Sequence, residues 1–163
     1  PGLAKYRPMK THENILLFAK KPGGTYNPIM EKGEPFKRQS KNPEGYVSKR
    51  NDHGYGLKPV KGFENKGTRY PKSILNISRD FSAQQQVHPT QKPVPVLEWL
   101  ITTFSNEGDT VLDNCMGSGS TGVAAVKLNR KFIGMETDEK YMSVAQGRIS
   151  ALVDEPLDMC YAI

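Results

Sequence analysis

The stretch Asp109-Thr110-Val111-Leu112-Asp113-Asn114-Cys115-Met116-Gly117-Ser118-Gly119-Ser120-Thr121-Gly122, with Phe132-Ile133-Gly134-Met135-Glu136 a short way downstream, decides the fold. Val111-Leu112 is a short apolar run that ends at a carboxylate, Asp113. A glycine-rich turn follows, and small residues from Ser120 to Leu128 predict a helix. The second apolar run, 132–135, ends at another carboxylate, Glu136. Strand, glycine loop, helix and strand in this order form the α/β unit that places nucleotide-like ligands at the carboxyl ends of parallel strands. The two acids then stand at the ends of adjacent strands.

Working outward, order extends on both sides of this unit. Leu97, Leu100, Ile101 and Phe104 fall at i, i+3, i+4 and i+7, which predicts an amphipathic helix opened by Pro93 and Pro95. Residues 138–153 predict a third helix, with Tyr141, Ala145, Ile149 and Leu152 on one face. Met159–Ile163 reads as the start of a further strand. Near the other end, Ile15-Leu16-Leu17-Phe18 between polar flanks predicts a buried strand. Residues 21–88 carry no sustained periodicity. Turn signals recur there, at Pro22-Gly23-Gly24, Asn42-Pro43-Glu44-Gly45, Asn51-Asp52-His53-Gly54 and Asn65-Lys66-Gly67, and Ser73–Ile77 alone has the look of a strand. A connection this long in a compact domain is either functional or unstructured.

Charge divides the chain at the same place. Residues 1–88 hold 17 Lys+Arg against 7 Asp+Glu, a balance of +10, and residues 89–163 hold 6 against 10, or −4, for the net +6 of the 163 residues. A basic part that meets a polyanion, beside a part that binds a small molecule, accounts for that split; a solvated basic surface is the plainer account. Two cysteines, Cys115 and Cys160, with no metal-ligand spacing exclude a disulfide scaffold and suit a reducing compartment. No apolar run is long enough to span a bilayer.

The loop matches G-x-G-x-x-G at Gly117, Gly119 and Gly122, in the context the pattern requires. A pyrophosphate would want those glycines directly on the strand end. Here Asp113 to Met116 intervene, starting with an acid that repels phosphate and can pair with a cationic amino group. S-adenosylmethionine carries an amino group and a sulfonium and no phosphate, so it suits the site better than NAD. Glu136 can accept hydrogen bonds from two ribose hydroxyls of either ligand. A second cluster, His88-Pro89-Thr90-Gln91-Lys92-Pro93, precedes the first predicted helix. Thr90 can cap that helix. A lysine at a helix amino terminus opposes the helix dipole, and a ligand carboxylate beside Lys92 would explain it.

Together, His88–Pro93, Val111–Gly122 and Phe132–Glu136 resemble the exocyclic-amino DNA methyltransferases, and more narrowly the carboxyl-terminal portion of their beta group. The resemblance implies a Rossmann-like S-adenosylmethionine-dependent methyltransferase fold of the α/β class, incomplete and with a long irregular insertion. It divides the chain into a core strand in 1–20, a target-recognition region in 21–87 and a cofactor-binding segment in 88–163. It implies that Asp113, Gly117, Ser118 and Gly119 line the methionine end of S-adenosylmethionine, that Thr90 and Lys92 approach its carboxylate, and that Glu136 holds its ribose. Lys37, Arg38, Lys49, Arg50 and Arg69 are the expected DNA contacts. Asn114-Cys115 stands where the family more often has Pro-Phe, which changes the packing under the cofactor. The family's catalytic motif, an Asp, Asn or Ser before Pro-Pro and an aromatic, has no match, because no Pro-Pro occurs in these 163 residues.

The expectation is therefore part of a site-specific enzyme that methylates the amino group of adenine in DNA within restriction-modification, with no catalytic residue and no metal ligand on this chain. Alone it is expected to be inactive. The expected partners are double-stranded DNA and an amino-terminal catalytic segment or complementing chain, with room for a homodimer and no role for a membrane. The setting is the cytoplasm of a bacterial or phage-infected cell. The alternatives are a catalytically inactive DNA-binding remnant and, less in keeping with Asp113, an NAD-binding oxidoreductase domain.

Overall fold

A computed structural model describes residues 12–20, 22–38, 63–153 and 161–162. Its ordered centre is a three-stranded sheet in the order β5-β6-β7, with β5 at Thr110–Asp113, β6 at Lys131–Met135 and β7 at Tyr161–Ala162. All three strands are parallel, with Val111 opposite Phe132 and Asp113 opposite Gly134. β7 bears out the strand start read at the carboxyl end. Helix α1 (Val94–Phe104) precedes the sheet, α2 (Ser120–Lys127) crosses from β5 to β6, and α3 (Glu139–Ser150) follows β6.

The α2 helix is the hub. Its Val123, Ala124 and Ala125 are buried with Val94 and Ile101 of α1, Phe132 of β6, and Ala145 and Ile149 of α3. Small residues in α2 let its neighbours approach closely. A Cβ on Gly119 would lie 2.7 Å from Ala145 Cβ, and one on Gly122 would overlap Ile149 Cδ1 and lie 2.6 Å from the Phe132 ring. Asp138 caps α3 by accepting from the backbone N–H groups of Lys140 and Tyr141, the capping chemistry expected of an aspartate. Of the face predicted for α3, Ala145 and Ile149 are fully buried, whereas Leu152 falls beyond the helix and stays exposed.

Alternation along the strands sends Val111 and Phe132 toward the helices and Leu112 and Ile133 to the other face. Leu112 remains 60% exposed there. Among the described residues β5 has one strand neighbour, β6, so its outer edge carries unpaired backbone groups.

The basic region differs from its reading in sequence. Ser73–Ile77 forms no strand, and Ile74 is 84% exposed. Strands form instead at β1 (Glu31–Lys32), β2 (Phe36–Arg38), β3 (Phe63–Asn65) and β4 (Thr68–Arg69). β1 pairs antiparallel with β4 and β2 with β3, making an interrupted two-stranded ribbon. The register steps by one residue between the two pairs, at Gly33 and Gly67, where Gly33 N–H donates to Gly67 O. Phe36 packs edge-on to Phe63 across the ribbon. Ile15-Leu16-Leu17-Phe18 also forms no strand, and Leu16 and Phe18 are 74% and 85% exposed. The run has the composition of a buried strand but no sheet neighbour among the described residues, and an isolated strand cannot satisfy its backbone.

Segment 22–30 docks on the end of α1. Asn27 N–H donates to Thr103 O, and its side-chain amide donates to Ser105 O at 3.0 Å and Asn106 Oδ1 at 3.2 Å. These contacts occupy acceptors around the carboxyl end of α1, where the helix leaves carbonyls without partners.

Candidate cofactor site

The carboxyl end of β5 opens into a cleft of about 170 Å³ lined by both sequence clusters, including His88, Thr90, Lys92, Asp113, Gly117 and Ser118. Five of the residues expected at the site thus meet in one place although 113 and 90 are far apart in sequence. Gly119, within the loop, and Glu136, which accepts from Gly117 N–H, do not line the cleft.

The loop's backbone donors are largely spent inside the protein. Cys115 N–H donates to Asp113 Oδ1, Met116 N–H to Met135 O, Gly117 N–H to Glu136 Oε2 at 2.8 Å, and Gly119 N–H to Met116 O. A phosphate-binding loop works by leaving such N–H groups free to converge on an anion. This loop uses four of them to hold two carboxylates and two carbonyls, which leaves fewer of its amides for a phosphate. Gly117 and Gly119 both adopt positive φ, +54° and +75°. Gly117 also backs onto His88, 3.3 Å from where its Cβ would be, while Gly119 and Gly122 serve the packing of α2. Only the first glycine of the pattern borders the cleft.

Asp113 is half-buried and held from two sides. Its Oδ2 accepts from Thr121 Oγ1 at 2.6 Å and its Oδ1 from Cys115 N–H at 3.1 Å. A carboxylate has about four acceptor positions, so two remain for a ligand's donors. Glu136 accepts from the N–H groups of Asp138 and Thr137 on Oε1 and from Gly117 on Oε2. The Asp138 N–H bond, opposed by partial burial and helped by the Gly117 and Thr137 bonds, holds its carboxyl below the usual range.

Thr90 does not cap α1. The N-cap position is Pro93, and Thr90 turns back instead, its N–H and hydroxyl each 3.2 Å from His88 Nδ1. The proline pair at 93 and 95 starts the helix without a side-chain cap, which frees Thr90 for this contact. His88 in turn stacks edge-on against Tyr141 of α3, ring centroids 4.3 Å apart. It thereby joins the second cluster to the loop and to α3, a role that lay in view in the motif but had no signal beyond it. Lys92 has an anion beside it: Glu13 Oε2, 2.7 Å from Nζ. Both groups are largely exposed, so this pair contributes about 0–1 kcal/mol.

Sequence reasoning missed Arg148 and Thr121, whose side chains reach the loop and Asp113 respectively. Of the expected DNA contacts, Lys37 lies on the ribbon, exposed, in an ion pair with Glu64 at 3.1 Å. Arg69 is exposed on β4 with its side chain over Gly33. Arg38 contributes its backbone to β2, and Lys49 and Arg50 lie outside the described residues.

Comparison with known proteins defines the class. The N6/N4 DNA methylase family matches residues 1–147, and the chain belongs to that family. It is 47% identical over 64 residues to the type II methyltransferase M2.DpnII of Streptococcus pneumoniae, covering 39% of this chain and 24% of that protein. Over 63 residues it is 46% identical to the type II methyltransferase M2.LlaDCHI of Lactococcus lactis subsp. cremoris, covering 39% and 23%. The chain therefore matches about a quarter of the length of these relatives. Among solved structures, the M1.HpyAVI–SAM complex is similar over 74% of this chain and 63% of that one, with 27% identity and a TM-score of 0.43. The cytosine-N4-specific PvuII DNA methyltransferase is similar over 79% and 54%, with 21% identity and a TM-score of 0.45. The strand–loop–helix–strand unit with its parallel sheet is a Rossmann-like α/β arrangement.

Proposed function

We propose that the cleft binds S-adenosylmethionine and that the chain contributes the cofactor-binding and target-recognition parts of a DNA methyltransferase acting on an exocyclic amino group, with adenine as the expected base. The observation that carries this reading is the loop itself. Its amides are committed to Asp113, Glu136 and two carbonyls, which disfavours a pyrophosphate, while Asp113 keeps free acceptor positions facing the cleft, which favours an ammonium.

When bound, S-adenosylmethionine supplies an electrophilic methyl group for direct transfer to the base nitrogen. This chain's part is to hold and orient it. Asp113, steadied by Thr121, accepts from the amino group. Thr90 and Lys92 lie where a carboxylate would sit, and for Lys92 that carboxylate would replace or join Glu13. Glu136, which holds Gly117 and stands outside the cleft lining, would accept from one ribose hydroxyl with the position its three amide bonds leave. The groups that face the flipped base belong to a segment of the Asp-Pro-Pro-aromatic kind, which we place on chain outside these residues or on a complementing subunit. In this reading the exposed ribbon residues Lys37 and Arg69 meet DNA phosphates, and Arg38, Lys49 and Arg50 are further expected contacts.

Titration calorimetry with S-adenosylmethionine, its demethylated product and NAD tests the proposal. The methyl donor and its product should bind and NAD should not; binding of NAD alone overturns it. Nucleoside mass spectrometry of DNA treated with the enzyme reconstituted with its catalytic segment should show N6-methyladenine, and methylated cytosine would transfer the reading to the other base.

A further inference from the structure

Arg148 sits far along α3, yet its guanidinium ends on the glycine loop. Nη1 donates to Ser118 O at 2.6 Å and lies 3.0 Å from Ser118 Oγ and 3.3 Å from Ser120 Oγ. One nitrogen with two protons cannot serve three acceptors equally, and the short contact to the carbonyl dominates. The location is costly. The side chain is half-buried, and burial pushes its pKa down while the charge of Asp80 acts in the opposite sense. It also places a cation at the amino end of α2, against the helix dipole.

The gain is local order. Ser118 lies between Gly117 and Gly119, the two positive-φ glycines of the loop, and it lines the cleft. Glycines on both sides give this stretch of backbone more conformational freedom to lose than other residues would. The peptide joining Ser118 to Gly119 is clamped at both ends: its carbonyl accepts from Arg148 and its N–H donates to Met116 O.

We propose that Arg148 is a positioning residue for cofactor binding, fixing the Ser118–Gly119 peptide so that the cleft wall is formed before the ligand arrives. The inference rests on the S-adenosylmethionine reading of the cleft. Loop order paid in advance is not charged against affinity, so Arg148 acts on binding although it need not touch the ligand.

The test compares the unaltered 163-residue chain with R148M, R148Q, R148K and G147A. Affinity for S-adenosylhomocysteine is measured by calorimetry well below each melting point, and melting is measured without ligand. R148M and R148Q should bind about tenfold more weakly, the value of one charge-assisted hydrogen bond. R148K should recover most of that loss, and G147A, next to it on α3 with nothing within 4 Å of an added Cβ, should stay within about threefold. If R148M does not fold, the more polar R148Q carries the same expectation. Unchanged affinity in folded R148M or R148Q, even with a lowered melting point, makes Arg148 a structural tie and overturns the proposal. A full tenfold loss in G147A overturns it too, because any disturbance of α3 would then carry the effect. Failure of the unaltered chain to bind brings down the cofactor reading and this inference together, and is distinguished by occurring before any substitution.

Discussion

Replacing Gly122 by alanine sets two known effects against each other inside one helix. Alanine in a helix interior is favoured over glycine by about 1 kcal/mol. The added Cβ, however, would overlap Ile149 Cδ1 and stand 2.6 and 2.8 Å from Phe132 Cε1 and Cδ1. Ile149 is fully buried and Phe132 is 7% exposed, so neither has free space to retreat into. Overpacking of this kind costs about 1–3 kcal/mol, toward the upper end where a ring and a buried methyl are both hit. The net expectation is a loss of about 1–2 kcal/mol, or roughly 3–6 °C in melting temperature for a chain of this size. Gly147 in α3 provides the control. A Cβ there meets nothing within 4 Å, so G147A keeps the propensity gain and should raise the melting temperature by about 2–3 °C. Thermal and urea unfolding of the two variants measure the difference. If G122A is stabilised as much as G147A, the close seat of α2 on Phe132 and Ile149 is refuted, and with it the account of the third loop glycine as a packing residue.

Four other outcomes follow from the same structure. T121V removes the 2.6 Å hydroxyl donor to Asp113 and should weaken S-adenosylmethionine binding by about three- to tenfold in calorimetry, with unaltered affinity refuting the link. T103V replaces a fully buried hydroxyl that has no hydrogen-bond partner among the described residues, and should stabilise the fold by about 1 kcal/mol in urea unfolding; destabilisation would reveal a partner. Because the carboxyl of Glu136 is held below its ordinary value in the folded chain, its contribution to stability is complete above about pH 4.3 and is lost as pH falls through the lowered value; E136Q should flatten the acid side of the melting-temperature profile, and an unchanged slope would count against the bond to Gly117. N27A should lower the melting temperature by about 3 °C and quicken proteolysis within 22–30, since the docking of that segment on α1 runs through Asn27.

The parts of the fold that bury a face were legible, because burial writes a period into the sequence. Ile101 of α1 and Ala145 and Ile149 of α3 sit where their spacing put them. Asp113 and Glu136 end adjacent parallel strands, as the two apolar runs implied. The ribbon of β1–β4 was not legible. Glu31, Lys32, Lys37 and Glu64 are polar on it because it is exposed, so its pairing is made by main-chain bonds that leave no side-chain pattern. The opposite error arose at Ile15–Phe18 and Ser73–Ile77, where apolar composition predicted strands and no neighbouring strand pairs with them among the described residues. Within the site, motif residues could be found, but their connections could not. That His88 bridges Thr90, Gly117 and Tyr141, or that Lys92 faces Glu13, is a product of tertiary packing across distant segments.

The ribbon has an evolutionary consequence. Arg38 and Phe63 are cross-strand partners, so the two positions that flank residues 39–62 stand side by side. Where two flanks are already joined, the number of residues between them can change at small cost, about 0.6 kcal/mol of closure entropy for a doubling. Among the described residues, those that line the cleft lie between His88 and Thr121. A lineage can therefore change the number and kind of residues between Arg38 and Phe63 without altering these cleft residues.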